Sequence, residues 1–338
     1  MKEKKTGGRR LIPVTAIMLA VFFALLFFIL RFPCRDFLSA ADRAFRIPDI
    51  NYGFIPQGIA FDEESGLLFV TGHTDNHMAP PVYLLDPSDP SEVKTVRLMT
   101  YNGSAHRGQA RGIAVYGDYV YVAGSPERYL TCFRREDFLS AKDGEGVRCI
   151  GEFETGISDT DRFLSDFLTV SDGKLYIGEC AAGEGNEIPD FHTLKTGSGQ
   201  ENHAVIVAFP LSSEAPLGIF ETPCEAYSIP DDVRGIAFYD GKAFLCERDE
   251  KGASYLSVFE PVPPEEGHIF RIYGTELPLY EIDSSCLSGS LRIPPVMNGI
   301  TFLSGRLYLI GSSASNRTVY GKFAGFSSCF ALDPSKVF

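Results

Sequence analysis

The chain has 338 residues, 44% hydrophobic and 22% charged, and its 31 Lys+Arg against 44 Asp+Glu give a formal net charge of −13. That size and composition exclude a disordered chain or a small stapled domain. The acidity excludes nucleic acid as a partner, because phosphates demand a basic face. The same holds for anionic lipid except at the N-terminus, where Lys2, Lys4, Lys5, Arg9 and Arg10 concentrate positive charge.

Directly behind them runs "LIPVTAIMLAVFFALLFFIL", Leu11–Leu30, without a charge. About 20 apolar residues match the roughly 30 Å core of a bilayer, whereas the apolar region of a signal peptide spans about 7–15. The small residues Ser39–Ala41 that cleavage would need follow too far behind, beyond Arg31, Arg35 and Asp36. "RFPC", Arg31–Cys34, lacks the small residues of a lipoprotein box. We therefore expect a single-pass anchor, with a cleaved peptide as the alternative. The basic tail (1–10) stays cytoplasmic by the positive-inside rule, the span covers 11–31, a linker 32–44, and an extracytoplasmic domain 45–338. The partner this implies is the lipid bilayer through Leu11–Leu30.

Eight cysteines suit an oxidising compartment. Cys132 with Cys149 and Cys286 with Cys329 are the candidate bridges, and buried free thiols are the alternative. No CxxC or Cys/His spacing suggests zinc. The sequons at Asn102 and Asn316 matter only in an organism that glycosylates.

From Pro56 onward one pattern recurs. "PQGIAFDEESGLLFVTGH", "ARGIAVYGDYVYVAGSP" from Ala110, "SDFLTVSDGKLYIGECA" from Ser165, "VRGIAFYDGKAFLCERD" from Val233 and "MNGITFLSGRLYLIGSS" from Met297 each read as a hairpin. Two further strands follow the early hairpins: "VYLLDP" then "VKTVRLM", "YLTCFRRED" then "VRCIGEF", "AVIVAFP" then "EAYSIP". Four strands per unit without a long helical pattern predict an all-β fold, a single propeller of five blades. "FRIPD" (Phe45–Asp49), "YSIPD" (Tyr227–Asp231) and "LRIPP" (Leu291–Pro295) resemble one another, and the first has no blade before it. We expect it to complete the last blade, which stops after "SSCFALDP", and so to close the ring and remove its open edges. A sixth blade is the alternative, since Glu265–Cys286 is long enough to hold extra strands.

Aligned, the hairpins stack Gln57, Arg111, Asp166, Arg234 and Asn298 ahead of the five inner strands. A second column follows the return strands: Gly72, Gly124, Glu179, Glu247 and Gly311, with His73, Ser125, Cys180, Arg248 and Ser312 one step on. These columns predict one polar funnel. The hairpins resemble those of the lactonase-type propellers, the gluconolactonase and paraoxonase groups, and of related cell-surface propellers. "MNGITF" resembles their inner strand, whose Asn coordinates calcium, and "SDFLTV" a second such strand. The resemblance implies calcium ligands at Asn298 and, more loosely, at Asp166; Glu179 and Glu247 of the second column would complete a divalent-metal site. Against it stand Arg111 and Arg234 where a hard cation wants oxygens, and the six blades of those two groups.

Three readings compete. Arg111 and Arg234 act as fork-shaped donors to an anionic or polar ligand or a protein partner, without a cofactor. Or a divalent cation polarises an ester or lactone for hydrolysis. Or the charges only pair, Arg111 with Asp166 and Arg234 with Glu247. "HTDNH" (His73–His77) is a metal-like grouping or an incidental loop, "GECAAGEGNE" (Gly178–Glu187) a flap or a surface loop, and "PVPPEEGH" (Pro261–His268) a stiff connection.

Overall fold

Turn chemistry sets the inner hairpins. In a computed structural model of the chain, Asp172–Gly173, Asp240–Gly241 and Ser304–Gly305 all take left-handed φ, from 47° to 79°. This is the two-residue turn whose twist matches that of the strands it joins. The described residues are 8–75, 78–125, 129–158, 161–181, 188–249, 251–264, 268–318 and 320–338.

The strands make five antiparallel blades, each given from the axis outward. Blade one is Phe54–Asp62, Leu67–Thr74, Pro81–Leu85 and Val93–Met99. Blade two is Gln109–Tyr116, Tyr119–Ser125, Tyr129–Arg134 and Gly151–Glu154. Blade three is Phe167–Ser171, Lys174–Gly178, Ala204–Pro210 and Glu225–Ile229. Blade four is Val233–Tyr239, Lys242–Arg248, Ser254–Phe259 and Leu287–Ile293. Blade five is Met297–Leu303, Arg306–Gly311, Ser328–Leu332 and the N-terminal strand Ala41–Arg46. Each inner strand touches the next, and the fifth touches the first.

The expected closure forms, with its register shifted. Ala41 to Arg46 pairs antiparallel with Leu332 to Ser328, so the strand begins ahead of Phe45–Asp49. "FRIPD" marks the strand's end rather than its body. Ile47 still donates its N–H to Ser327 O (3.0 Å), but Pro48 has no N–H to offer and Asp49 turns left-handed. The three related motifs agree in this, because Ile47, Ile229 and Ile293 all lie buried where their strands finish.

The long Glu265–Cys286 region holds a hairpin, Ile269–Ile272 with Thr275–Glu281, but no sixth blade. It adds in parallel to the outer edge of blade three, as Gly146–Arg148 adds to blade one.

Residues 32–44 are not a free linker. Cys34 and Phe37 are buried among Phe244, Met297, Leu307 and Phe330, wedging a short helix (Arg35–Ala40) between blades four and five. All eight cysteines are free thiols, so neither expected bridge is formed; Cys132 and Cys149 fall in different core clusters. The helix Gly8–Arg31 is the one segment, among the described residues, long and apolar enough to cross a membrane.

Candidate functional site

A backbone irregularity builds the site. In blades one, two, four and five the inner strand carries one residue more than its partner. Pro56 pairs with Gly72 and Gly58 with Thr71, leaving Gln57 between. Arg111, Arg234 and Asn298 are left over in the same way. In blade three Asp166 sits just before the strand and donates its N–H to Gly178 O (2.9 Å). A bulge re-aims a side chain that regular alternation would turn aside. All five residues line one cavity of about 360 Å³ at the axis.

The return strands supply one of their two columns. His73, Cys180, Arg248 and Ser312 line the same cavity, whereas Glu179 and Glu247 do not. Successive residues of a strand point to opposite faces, so both columns cannot look inward. Glu179 is wholly buried in blade three. It accepts hydrogen bonds from Leu164 N (3.0 Å), Val205 N (3.2 Å) and His192 Nδ1 (2.9 Å), while burial pushes its carboxyl above the ordinary range against the pull of His192.

Glu247 is partly buried, and burial raises its carboxyl despite a hydrogen bond with Ser257. A carboxyl raised in the folded state stabilises the fold at low pH and loses that contribution as pH climbs through its folded value. Glu247→Gln is therefore expected to melt above the wild type near about pH 8 and no higher near about pH 4; equal melting at both would refute the raised value.

The cavity's charges are arranged asymmetrically. Arg111 pairs with Asp166 through Nη1 and donates from Nε to Gln109 (3.2 Å); Asp166 also accepts from Cys180 N (3.1 Å). Arg234 pairs not with Glu247 but with Asp232, Nε to Oδ1 at 2.6 Å. Arg248 takes the other oxygen of the same carboxylate, Nε to Oδ2 at 2.9 Å. Asp232 is thus shared by two guanidiniums. It takes a left-handed φ of 55° to sit between them. Among the described residues, Arg234 and Arg248 commit only Nε. Arg317 joins the lining with no ion pair. Asn298 ties blade five to blade one, donating from Nδ2 to Pro56 O (3.1 Å) and Ser312 Oγ (3.3 Å).

Two chemistries find no support in this arrangement. Of the four residues of the expected metal site, Asp166 is held by Arg111, Asn298 donates across the blades, and Glu179 and Glu247 are elsewhere; among the described residues no group of three or more His, Cys, Asp or Glu could hold a metal. The donor set does not fit a cation, and no step is derived through one. Burial pushes the Cys180 thiol up to about 12, although Arg234 opposes it, so it is a neutral thiol rather than a nucleophile. Asn76 and His77, most of the "GECAAGEGNE" stretch and residues 265–267 lie outside the described residues.

Asp232, Gln109, Arg317 and Thr318 escape a reading by repeats because three of them lie off the inner strands, and the blade-five position that matches Asp232 holds the apolar Val296. The signal that could have found Asp232 is the acid pair in "PDDVRG", directly before the bulge.

No family model and no curated relative matches the chain. Among solved structures it is similar to a glutaminyl cyclase from Myxococcus xanthus (12% identity, 86% of this chain and 94% of that one, TM-score 0.42). It is similar also to a gluconolactonase from Xanthomonas campestris (12%, 87% and 93%, TM-score 0.41) and to a PQQ-bound aldose sugar dehydrogenase from Streptomyces coelicolor (13%, 80% and 77%, TM-score 0.40). These β-propeller likenesses are weak and carry no argument about activity.

Proposed function

We propose that the protein is a membrane-anchored recognition propeller whose axial funnel binds a small anionic group, a carboxylate or phosphate. The observation that carries this reading is the shared carboxylate. Arg234 and Arg248 each spend Nε on Asp232, and among the described residues their terminal nitrogens meet no hydrogen-bond partner in a cavity they line. Guanidinium edges present paired donors that match the oxygens of carboxylate and phosphate. Among the described residues, four arginines, 111, 234, 248 and 317, meet only Asp166 and Asp232 there, an excess of positive charge within an acidic protein. Pairing alone accounts for Arg111 but leaves that excess unexplained. At about 360 Å³ the cavity lies within the range that holds small ligands, roughly 300–1,000 Å³.

Melting the full chain in detergent with citrate or inorganic pyrophosphate tests this. A ligand at a hundred times its Kd adds about 2.7 kcal/mol to stability, so a rise in Tm that saturates with concentration is expected. Arg248→Ala should weaken the apparent affinity by roughly 10–100-fold, the worth of a hydrogen bond to a charged group. Melting that neither anion moves at low salt would refute the proposal.

A further inference from the structure

The anchor and the funnel share one face of the propeller. The segment between the second and third strands of blade five, residues 312–327, lies on the side where the inner strands begin; it carries Arg317 and Thr318 of the cavity and then the short helix Tyr320–Ala324. The apolar helix packs on that short helix. Phe23 stacks on Phe323 at 5.6 Å, and Arg31 Nη1 donates to Ala324 O at 2.9 Å. From Arg31 the chain passes through Cys34 and Phe37, buried against blades four and five, to Ala41 beside Leu332 at the opposite end of the blade. The chain therefore descends along the propeller after Arg31, and the apolar helix leaves on the mouth side.

That face differs in character from the other. A second cavity that continues the funnel's rim holds Arg107 and Arg317, both exposed. Arg43 and Arg46 are exposed on the closing strand. Tyr52, Tyr101, Met78 and Phe323 stand exposed in the loops of this face, at 85%, 79%, 52% and 48%. Aromatic side chains beside cations are what a lipid–water boundary selects. The opposite mouth is lined by Asp62, Glu63, Glu64 and Asp172, with Arg135 of that end tied to Asp62 and Glu64.

We infer that the funnel opens onto the bilayer its own anchor crosses, and that the anionic group it takes is the phosphate of a lipid headgroup. This rests on the anion-binding reading above and adds its source. Net charge argues against anionic lipid only if it is spread evenly, and here four arginines line the funnel and Arg107 stands with Arg317 on its rim beside Asp75. With no spacer between Arg31 and the body, the rim arginines lie within side-chain reach of the headgroups, where each is worth about a fivefold factor in affinity for an anionic surface.

The test uses the full chain in nanodiscs of phosphatidylcholine, with or without phosphatidylglycerol, at low salt. Hydrogen exchange is read in residues 47–53, 100–108 and 312–318. Phosphatidylglycerol is expected to slow exchange there and not in the hairpin turns of the far mouth. The Arg107→Glu/Arg317→Glu variant should lose that difference by roughly twentyfold or more, as two such factors multiply, and raised salt should erase it. Equal exchange in both lipids would overturn the inference. If citrate or pyrophosphate still raises Tm in detergent, the anion site stands and only its lipid source falls. If neither lipid nor soluble anion acts, both fail. Protection confined to the far mouth would place the propeller the other way up and also overturn it.

Discussion

Gly112→Ala is expected to destabilise the protein by about 3 kcal/mol, the upper end of the cost of overpacking, and to lower Tm by roughly 5–10 °C. A Cβ at Gly112 would lie 2.8 Å from Leu168 N and 3.0 Å from Phe167 Cα, both main-chain atoms of blade three. Gly58, Gly235 and Gly299 face the next blade in the same way, at 3.0 Å from Ile113 N, 2.9 Å from Asn298 O and 3.0 Å from Gln57 O. None of the four has a left-handed φ. The demand is therefore for room rather than conformational freedom: at four of the five junctions between inner strands the chains approach more closely than a methyl group allows. Side chains can swing aside, whereas a neighbouring backbone held in its own ladder cannot. Thermal melting of Gly112→Ala beside Gly58→Ala measures this. Unchanged melting in both would mean that the inner strands are not so tightly drawn together.

Glu179→Ala is expected to cost roughly 3–5 kcal/mol, because it removes at once the acceptor of Leu164 N and Val205 N and the partner of His192 Nδ1. Glu179 and His192 are both completely buried, so water cannot replace the lost acceptor without opening the blade. The loss should appear as a Tm lower by about 10 °C or more, with the anion response of the funnel retained in whatever fraction stays folded. A variant that melts like the wild type while losing anion binding would return Glu179 to the funnel and overturn this assignment.

The propeller is legible in the sequence because its hairpins repeat their turn chemistry, Asp-Gly or Ser-Gly between alternating apolar runs, and because an orphan strand precedes them. The ring of Gln57, Arg111, Asp166, Arg234 and Asn298 is legible for the same reason. The bulge hides in it, since one extra residue leaves the pattern intact to the eye while changing which side chains face the axis. That Glu179 and Glu247 look away follows from period-two alternation, which the aligned columns show only once the register is known. Asp232, the residue that organises two of the arginines, is beyond reach of repeat logic because its blade-five equivalent, Val296, is apolar although it takes the same left-handed φ, 57°. The contacts of the apolar helix with blade five, Phe23 with Phe323 and Arg31 with Ala324, likewise join two segments about 300 residues apart, and their meeting has no local signature.

The closing strand also dictates an order of events during biosynthesis. Ala41–Arg46 emerges well before its partner Ser328–Leu332 is made. Until that partner is made, the nascent ring has an unzipped seam, with one lip next to the apolar helix. A premature stop ahead of Ser328–Leu332 would therefore strip the seam of its counterpart and leave an adhesive edge, a far graver lesion than an insertion of a few residues in any turn.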